Sequence, residues 1–478
     1  MDFLTNCKSV MDYFYEICKI PHGSGNTDAI ANYCVNFAKE LGLYVRKDEF
    51  NNVIIKKNAS EDKKHSAPII IQGHLDMVCA KTADSDFDFL KDGIECIKDG
   101  DFVKAKNTTL GADNAIAVAY ALSLLADDKI SHPPLEVILT SDEEIGLIGA
   151  NNIDVFDIDA KMLINIDSEE EGIFTVSCAG GARADIKIPF DKEKCFGTML
   201  VVNLTGLEGG HSGVEIHKGG KNANKVLGTI LSGVCEICDV NLVSISGGDK
   251  DNAIPANAKA KIIVNSKDAK DAEDKILSLF NQIKKEASFD KNMNIAIEKE
   301  ENAEESAISA DKTKSIFDAI KNVKNGVLKM DENTEGLVKT SLNLGVLITT
   351  ENAVNLTFSL RSNDNGELDD LISDLKEFSN KFGADFDYGA RYPAWEYVKN
   401  SYLRDVMVKT YSEIYASAPE ITAIHAGLEC GAFAGKIKGL DAVSIGPEMY
   451  DVHTVRERVS VSSVERVWGF LKEVLKNI

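Results

Sequence analysis

The segment 135–146, with the sequence LEVILTSDEEIG, decides how the rest of the chain is interpreted. Its first half is an apolar, β-rich run that predicts a buried strand, and the run ends in the acids Asp142, Glu143 and Glu144 before a glycine. In open α/β sheets, reactive side chains gather at the carboxyl ends of strands, where they face a crevice. Adjacent carboxylates repel each other unless a cation or a proton-transfer role compensates. Taken alone, the segment is equally compatible with a solvated acidic turn.

Composition and charge exclude several classes of partner. The 478 residues predict about two to four domains, and 44% hydrophobic with 27% charged residues is an ordinary globular balance. The net charge of −23 argues against nucleic acid or an anionic membrane as the main partner. No apolar run approaches the ~20 residues that span a bilayer, and the N-terminal stretch lacks the features of a signal peptide. Because the ten cysteines are scattered, we expect reduced thiols and a cytoplasmic protein.

Polar side chains end two further predicted strands and begin one helix. The strand at 67–72 runs into His74 and Asp76, Asp113 opens an alanine-rich helix that extends to about residue 126, and another apolar strand ends at Asp167. His74 and Asp76 are two residues apart, so in extended chain they point to the same side. This spacing suits an imidazole ligand that a carboxylate orients. Each signal also has a simpler explanation, as a hydrogen-bonded histidine, a helix cap or a turn residue.

Taken together, these side chains form a mixed nitrogen and oxygen donor set, which is typical of zinc, manganese or cobalt sites. Several carboxylates close together need more than one positive centre, and a pair of divalent ions about 3.5–4 Å apart would provide it. One further histidine is needed, and the C-terminal segment offers His425 and His453. The other candidates are His74, Asp113, Glu143, Glu144 and Asp167.

The order of predicted elements indicates a discontinuous domain. Residues 1–182 alternate strands with helices, which predicts an α/β fold and the first part of a catalytic domain. Residues 183–390 change to a strand, helix, strand, strand, helix, strand pattern, in which 251–255 (DNAIP) resembles 351–355 (ENAVN). We therefore expect an inserted α+β lid domain of two related subdomains. Residues 391–478 return to helix–strand alternation and complete the catalytic domain.

Several motifs resemble those of a known family. They are 73–76 (GHLD), 111–114 (GADN), 142–146 (DEEIG), 165–167 (NID), 178–181 (CAGG), 209–217 (GGHSGVEIH), 222–225 (NANK) and 425–431 (HAGLECG). In order and spacing they resemble the dinuclear zinc metallopeptidases of the aminoacylase/carboxypeptidase type. Within that family the chain is most similar to the bacterial aminoacyl-histidine (Xaa-His) dipeptidases. The resemblance covers nearly the whole chain.

The resemblance implies a role for each residue of the metal centre. Asp113 would bridge two divalent ions. These ions are expected to be zinc, with manganese or cobalt as alternatives. Asp76 would orient His74, and Glu143 would be the general base. One departure is visible after His453, where Thr454 and Val455 replace the serine and proline that the family often has, although a following acid is retained. The implied ligands are His74 and Asp167 for one ion, and Glu144 and His453 for the other.

The resemblance also implies a substrate grip in the lid domain. His211 would stabilise the tetrahedral oxyanion, and Arg361 would clamp the terminal carboxylate of the substrate. The alternative for Arg361 is a strand-end residue in a surface ion pair. Asn252 and the Gly427 backbone would also hold the carboxylate, and the lid would close over a small substrate and exclude water.

The expected reaction is metal-dependent hydrolysis of dipeptides, with a preference for Xaa-His and broad tolerance. A tripeptidase or an N-acyl-amino-acid deacylase would use the same ligands, and an inactive metal-binding interaction protein is a third hypothesis, against which the intact Glu143 argues. A small peptide is the expected partner, without nucleic acid or membrane. The chain is expected to be a monomer if His211 acts within its own chain, and a homodimer if it acts across subunits.

Overall fold

The chain forms two compact units in the computed structural model, which describes residues 8–332 and 336–478. Unit 1 consists of Met1–Cys178, Trp395–Ala423 and Leu428–Ile478, and unit 2 consists of Ala179–Ala394 and Ile424–Gly427. The chain thus enters unit 2 at 178/179 and leaves it at 394/395, whereas the predicted limits are 182/183 and 390/391. Backbone hydrogen bonds of 3.0 and 3.1 Å join Cys178 to Trp395. The two unit 1 residues that flank the insertion therefore lie side by side. No described helix is long and apolar enough to cross a membrane.

Unit 1 contains helices on both sides of its chain break and two sheets. Its helices are α1 (Lys8–Ile17), α2 (Asp28–Glu40), α3 (Ala112–Ala126), α4 (Ile148–Asn152), α9 (Tyr402–Tyr415), α10 (Glu429–Lys436) and α11 (Val461–Asn477). Its strands are β1 (Tyr44–Lys47), β2 (Val53–Lys57), β3 (Ile69–His74), β4 (Cys96–Asp99), β5 (Phe102–Ala105), β6 (Leu135–Thr140), β7 (Met162–Asn165), β8 (Ile173–Cys178), β18 (Glu420–Ile424), β19 (Asp441–Ser444), β20 (Met449–Tyr450) and β21 (Arg458–Ser460).

The larger sheet of unit 1 has the order β1-β2-β6-β3-β7-β19-β8-β18. Strand β3 runs parallel to both β6 and β7, and β7 runs parallel to β19. His74 lies opposite Thr140 at the end of this register. The carboxyl ends of three central strands therefore meet at one edge of the sheet, which is the edge where the sequence predicts the metal centre. The smaller sheet has the order β20-β21-β5-β4.

Helix α3 lies in the core of unit 1. All its residues except Asp113 and Ala126 are buried, and its apolar side chains belong to the same core cluster as those of β3, β6 and α11. A helix that is hydrophobic all round has to be surrounded by other elements. The alanine-rich sequence permits close packing, since a Cβ on Gly73 of β3 would lie 2.4 Å from the Ala117 side chain. Asp113 therefore stands at the start of one of the most enclosed helices.

Unit 2 is an antiparallel sheet with helices packed against it. Its helices are α5 (Ala223–Val234), α6 (Ala269–Glu286), α7 (Ala310–Asn322) and α8 (Asn365–Lys381). Its strands are β9 (Gly180–Pro189), β10 (Lys192–Thr205), β11 (Val240–Gly247), β12 (Ala258–Val264), β13 (Asn294–Ile308), β14 (Gly326–Met330), β15 (Val338–Thr349), β16 (Ala353–Ser362) and β17 (Asp385–Tyr392).

Unit 2 repeats one order of elements twice. The succession α5-β11-β12-α6-β13 is followed by α7-β15-β16-α8-β17, with β14 as an addition to the second copy. The sheet order β12-β10-β13-β11-β15-β16-β9-β17 places the two copies side by side. They join where β11 pairs with β15, at Ser246 with Ile348 and Gly247 with Leu347. The faint sequence echo at 251–255 and 351–355 falls at the same place in both copies, immediately before or at the start of β12 and β16.

Candidate active site

Asp113 presents its two carboxylate oxygens to two different histidines. Oδ1 lies 3.0 Å from His74 Nε2, and Oδ2 lies 3.0 Å from His453 Nε2. His74 Nε2 also lies 3.3 Å from Asp167 Oδ1, and His453 Nε2 lies 3.0 Å from Glu144 Oε1. Two groups of one histidine and two carboxylates therefore share Asp113, and in each group the candidate ligand atoms lie within 4.8 Å of one another.

The hydrogen bonds of His74 determine which ring nitrogen carries a proton. Its Nδ1 lies 3.0 Å from the backbone carbonyl of Asp76, which only accepts hydrogen bonds, so Nδ1 is the donor. In the neutral ring Nε2 then presents a lone pair to the carboxylates of Asp113 and Asp167. Lone pairs of three acceptors that face one another require a proton or a cation between them. This geometry fits a divalent cation.

Glu144 provides a second indication of a cation. Its Oε1 is buried and makes no hydrogen bond to any described residue, although it lies 3.0 Å from His453 Nε2. Buried carboxylate oxygens without a hydrogen-bond donor are rare, because burial removes their hydration. A nitrogen and an oxygen that are close without hydrogen-bond alignment are arranged as two ligands of one cation would be. The donor set of imidazoles and carboxylates suits zinc, manganese or cobalt.

The pKa shifts at this edge of the sheet show an excess of negative charge. Burial raises the pKa of Asp167 to about 7 and the pKa of Glu143 well above its ordinary value, and neighbouring carboxylates add to both increases. The hydrogen bond to Asp113 and the close contact with the Glu144 carboxylate raise the pKa of His453 to about 11. Although burial opposes the charge of Asp113, its contacts with His453 and His74 hold its pKa below the ordinary value. Additional positive charge would therefore stabilise this cluster.

Asp76 orients three groups of the cluster at once. Its Oδ1 accepts the backbone N–H of Glu143 at 2.9 Å and lies 3.4 Å from His74 Nδ1, and its Oδ2 accepts the N–H of Glu144 at 3.3 Å. The Ser24 hydroxyl donates to Oδ2 at 2.7 Å. Asp76 is 1% exposed, so these bonds lie in a dry environment and are correspondingly strong. The structure thus places Asp76 against His74, as the sequence spacing predicts, and adds Ser24.

Glu457 holds the segment that carries Asp113. Its carboxylate accepts the backbone N–H groups of Leu110 at 2.8 Å, Gly111 at 3.0 Å, Ala112 at 2.7 Å and Asp113 at 3.4 Å. A carboxylate at the N-terminus of a helix is favoured by the helix dipole and the free N–H groups. The sequence shows an acid after His453 but gives no indication of its role. The long separation between 110–113 and 457 hides this contact from the sequence.

Glu429 is a second buried carboxylate, and in the sequence it stands only as one residue of the 425–431 motif. It is 0% exposed, and its Oε2 accepts hydrogen bonds from Gln72 Nε2 and from Thr140 Oγ1. Gln72 Oε1 in turn accepts from Asn165 Nδ2 at 2.6 Å, so a chain of hydrogen-bonded polar side chains crosses β6, β3 and β7. Burial raises the pKa of Glu429 to about 7. The motif itself was the only sequence signal for this residue.

In unit 2, His211 is held with its outer nitrogen as a donor. Its Nδ1 accepts the backbone N–H groups of Gly213 and Val214, both at 3.2 Å, so a neutral ring carries its proton on Nε2. Gly209 and Gly210 precede it with φ of 71° and 122°, a left-handed conformation that favours glycine. Burial and the nearby Arg361 charge lower the pKa of His211. The imidazole is therefore a neutral hydrogen-bond donor at neutral pH.

The other three predicted binding residues also lie in unit 2. Arg361 stands near the end of β16 and is 8% exposed, which excludes the surface ion pair that the sequence left open. The backbone carbonyl of Asn252 accepts the N–H of Ser212 at 2.9 Å, beside His211. A Cβ on Gly213 would lie 2.9 Å from His211 Cε1, 3.2 Å from Arg361 Nε and 2.6 Å from the His425 carbonyl. Gly427 follows two residues after that carbonyl.

His425 is excluded as a metal ligand. Its Nε2 lies 2.7 Å from Ser341 Oγ and its Nδ1 lies 3.1 Å from Asn363 Oδ1, so both ring nitrogens are engaged within unit 2. Of the two histidines that the sequence offered for the remaining ligand position, only His453 lies against Asp113 and Glu144. His453, which directly precedes the departure at Thr454 and Val455, has a φ of 63° and a side chain that is 48% exposed.

The fold is a discontinuous α/β domain with an inserted second domain, and its candidate site is a cluster of histidines and carboxylates that suits two metal ions. Residues 202–291 match the peptidase dimerisation domain of the M20 family. The chain is 39% identical to the cytosol non-specific dipeptidase of Escherichia coli over 470 residues, which are 98% of this chain and 97% of that protein. This chain belongs to the M20 family of metallopeptidases and is a peptide-bond hydrolase.

Solved structures agree with this assignment. The aminoacylhistidine dipeptidase of Vibrio alginolyticus superposes with a TM-score of 0.89 at 34% identity, covering 100% of this chain and 98% of that one. The aminopeptidase PepT of Bacillus cereus superposes with a TM-score of 0.57 at 16% identity, covering 99% and 98%, and shows the fold alone. The predicted α/β architecture with an inserted domain is confirmed.

Proposed function

We propose that this chain is a metal-dependent dipeptidase that favours a C-terminal histidine and tolerates other residues. The observation that carries the proposal is the carboxylate of Asp113, whose two oxygens each face a histidine and a second carboxylate. The names of the two similar proteins, one a non-specific dipeptidase and the other an aminoacylhistidine dipeptidase, support the substrate class. The name of the Escherichia coli relative also supports a cytosolic location.

Two divalent cations would occupy the cluster, and zinc suits it best, with manganese and cobalt as alternatives. We assign His74, Asp113 and Asp167 to one cation, and Asp113, Glu144 and His453 to the other. When bound, such a pair lowers the pKa of water and polarises the scissile carbonyl.

Glu143 is the proposed general base. It takes the proton of the attacking water and passes it to the leaving amine. Asp76 fixes the Glu143 backbone and the His74 ring together, so the base and a ligand keep one mutual orientation. A positional error of even about 1 Å in such a pair is costly, which explains why one buried carboxylate serves both.

Unit 2 supplies the proposed recognition residues. His211 offers its Nε2–H to the oxygen on which negative charge develops. Arg361 offers a planar guanidinium that matches a carboxylate in bidentate geometry, and Asn252 and the Gly427 backbone assist. These groups select a short peptide by its C-terminal carboxylate.

We propose a small peptide as the partner, without nucleic acid or membrane, and either a monomer or a homodimer. The match of 202–291 to a dimerisation domain supports dimer formation. His211 and Arg361 both border Gly213, so the two side chains act together on one substrate molecule, either in their own chain or across subunits. Mixing Glu143→Gln with His211→Ala chains separates these two cases, because only action of His211 across subunits would restore activity in the mixture.

The test of function is hydrolysis of alanyl-histidine, β-alanyl-histidine, a tripeptide and an acetyl-amino acid. The protein is stripped with a chelator and reloaded with zinc, manganese or cobalt, beside the Glu143→Gln variant. We expect cleavage of the histidine dipeptides after reloading, and a loss of about 10²–10⁴-fold in kcat in the variant with its metal content retained.

Other outcomes would redirect the assignment. Cleavage of only the tripeptide or the acetyl-amino acid would keep the metal centre and replace dipeptidase by tripeptidase or deacylase. A folded, metal-loaded protein that cleaves none of the four would point to the inactive metal-binding protein.

A further inference from the structure

Tyr392 is the last residue of β17, an edge strand of unit 2. It lies opposite Gly181 of β9, after a register shift that follows Gly389. The shift re-aims the end of the strand, as irregularities at sheet edges commonly do. The strand itself is mostly exposed, so sequence patterning gave no reason to single out its last tyrosine.

Two glycines make room for the Tyr392 ring. A Cβ on Gly181 would lie 2.5 Å from the tyrosine oxygen and 2.6 Å from Cζ, and a Cβ on Gly427 would lie 2.9 Å from Cε2. Neither glycine has a positive φ, so backbone conformation does not account for them. The ring accounts for both, and it lies against the segment whose backbone is the proposed carboxylate contact.

The hydroxyl of Tyr392 reaches the guanidinium of Arg361. Arg361 Nη1 donates to the tyrosine oxygen at 3.2 Å. Arg361 Nε is buried and has no hydrogen-bond partner among the described residues. A guanidinium with 8% exposure keeps its charge and is costly to bury without an anion. The N–H groups of Arg361 that lack a partner can therefore donate to the carboxylate of a ligand.

We propose that Tyr392 is a positioning residue that sets the orientation of Arg361 and so makes the enzyme selective for peptides with a free C-terminal carboxylate. The Tyr392 ring packs against Gly181 and Gly427, which holds its hydroxyl in place. The hydroxyl in turn holds Nη1 of the Arg361 guanidinium in one orientation. Bidentate pairing depends on the orientation of the fork, so a free-acid peptide gains from this restraint and a peptide amide does not. The inference rests on the proposed role of Arg361 in substrate binding.

The experiment compares alanyl-histidine with its C-terminal amide in the metal-loaded protein. We expect Tyr392→Phe, which keeps the ring and removes the hydroxyl, to raise KM for the free acid about tenfold. The kcat for the acid and the KM for the amide should stay within about twofold, on the same hydrogen-bond argument. Gly181→Ala should reproduce the effect by displacing the ring. Tyr388→Phe, on the same strand with 52% exposure, is the matched control and should change neither value.

Binding measured in the Glu143→Gln background separates this inference from the proposed function. Calorimetry there needs no turnover, and Tyr392→Phe should weaken the free acid while leaving the amide unchanged. Equal losses for acid and amide, a fall in kcat alone, or no carboxylate-dependent binding at all would overturn the inference. Absence of turnover in the unmodified chain, with the binding difference intact, would overturn only the proposed function.

Discussion

Four backbone N–H groups converge on the carboxylate of Glu457, and one of them belongs to Asp113. Glu457 lies four residues after His453 in the chain, so it links the loop of one proposed ligand to the helix start of another, Asp113. Both oxygens of a carboxylate accept hydrogen bonds, so Glu457 satisfies all four N–H donors. A glutamine side chain has an NH2 group in place of one oxygen, and that group would repel some of these donors. Its effect on the cluster is one of position, since it contacts backbone and not the reacting atoms.

We therefore expect Glu457→Gln to weaken divalent-metal binding by about 10–100-fold, as loss of an outer partner of a ligand commonly does. Stability should fall by about 1.5–3 kcal/mol, the range for hydrogen bonds to a charged group. Competition with a chromophoric chelator and urea unfolding measure the two effects. Glu473→Gln, on α11 and paired with Lys476 at the surface, is the control. Unchanged metal affinity would show that Glu457 has no influence on the centre.

His425 makes a prediction about acid stability. Burial, with help from the Arg361 charge, lowers its pKa from 6.5 to about 3. Between pH 6.5 and 3, His425 is therefore protonated in the unfolded chain and neutral in the folded chain. The stability contribution of His425 is accordingly lost as the pH falls through that window.

The variant His425→Gln removes this titration. We expect it to be less stable than the parent at pH 7, because it loses a hydrogen bond, yet to lose less stability between pH 7 and 5. Urea unfolding at the two pH values gives the difference, with His65→Gln at an exposed position as the comparison. A parallel decline in parent and variant would mean that His425 does not remain neutral.

At the scale of elements, the contact of β3 with α3 sets the distance between His74 and Asp113. Gly73 is the contact point, since a Cβ there would meet the Ala117 Cβ and Asn114 Oδ1, both at 2.4 Å. Asn114 Oδ1 accepts the His74 N–H at 3.0 Å, so displacement of α3 would also disturb the ligand strand.

Gly73→Ala should destabilise unit 1 by about 1–3 kcal/mol through overpacking and weaken metal binding. Gly469→Ala in α11 is the matched control, because a Cβ there meets nothing within 4 Å. The control should gain about 0.5–1 kcal/mol from helix propensity. Thermal unfolding of both variants tests the pair, and an unchanged midpoint for Gly73→Ala would show that α3 can shift freely.

Strands and helices with a clear pattern of apolar residues were predictable from the sequence, whereas contacts between residues far apart in the chain were not. The apolar runs of β3 and β6 and the alanine-rich α3 appear in the structure within one or two residues of their predicted limits. The placement of His74, Asp113 and Asp167 at one edge follows from parallel pairing, which alternation of strands and helices indicates. Glu457 and Tyr392 act through residues far away in sequence. Only the folded register brings Tyr392 to Gly181, and no periodicity encodes that.

At the scale of the whole molecule, the proposed metal centre would link cation binding to folding. Its residues come from β3, α3, the segment after β6, the segment after β7 and the loop after β20, so cations that bind them cross-link most of unit 1. Any ligand of the folded state adds about 2.7 kcal/mol at 100 times its Kd.

Chelation should accordingly lower the unfolding midpoint, and restored zinc or manganese should raise it again. Asp167→Asn removes a carboxylate whose pKa is raised to about 7. The chelated variant should therefore be at least as stable as the chelated parent at pH 8, while its gain on adding metal should be smaller. Differential scanning calorimetry with and without chelator gives both numbers. An equal gain in parent and variant would exclude Asp167 from the centre.

The duplication in unit 2 has an evolutionary consequence. His211 lies just before the first copy, the first copy carries Asn252 and the second carries Arg361. His211 and Arg361 nevertheless both border Gly213. Two copies fused in one gene are inherited together, so each copy can lose a functional side chain that the other copy retains. If the proposed roles hold, selection keeps a hydrogen-bond donor in the first half of unit 2 and a guanidinium in the second. Such specialisation lets the halves drift apart in sequence while the order of their strands and helices persists.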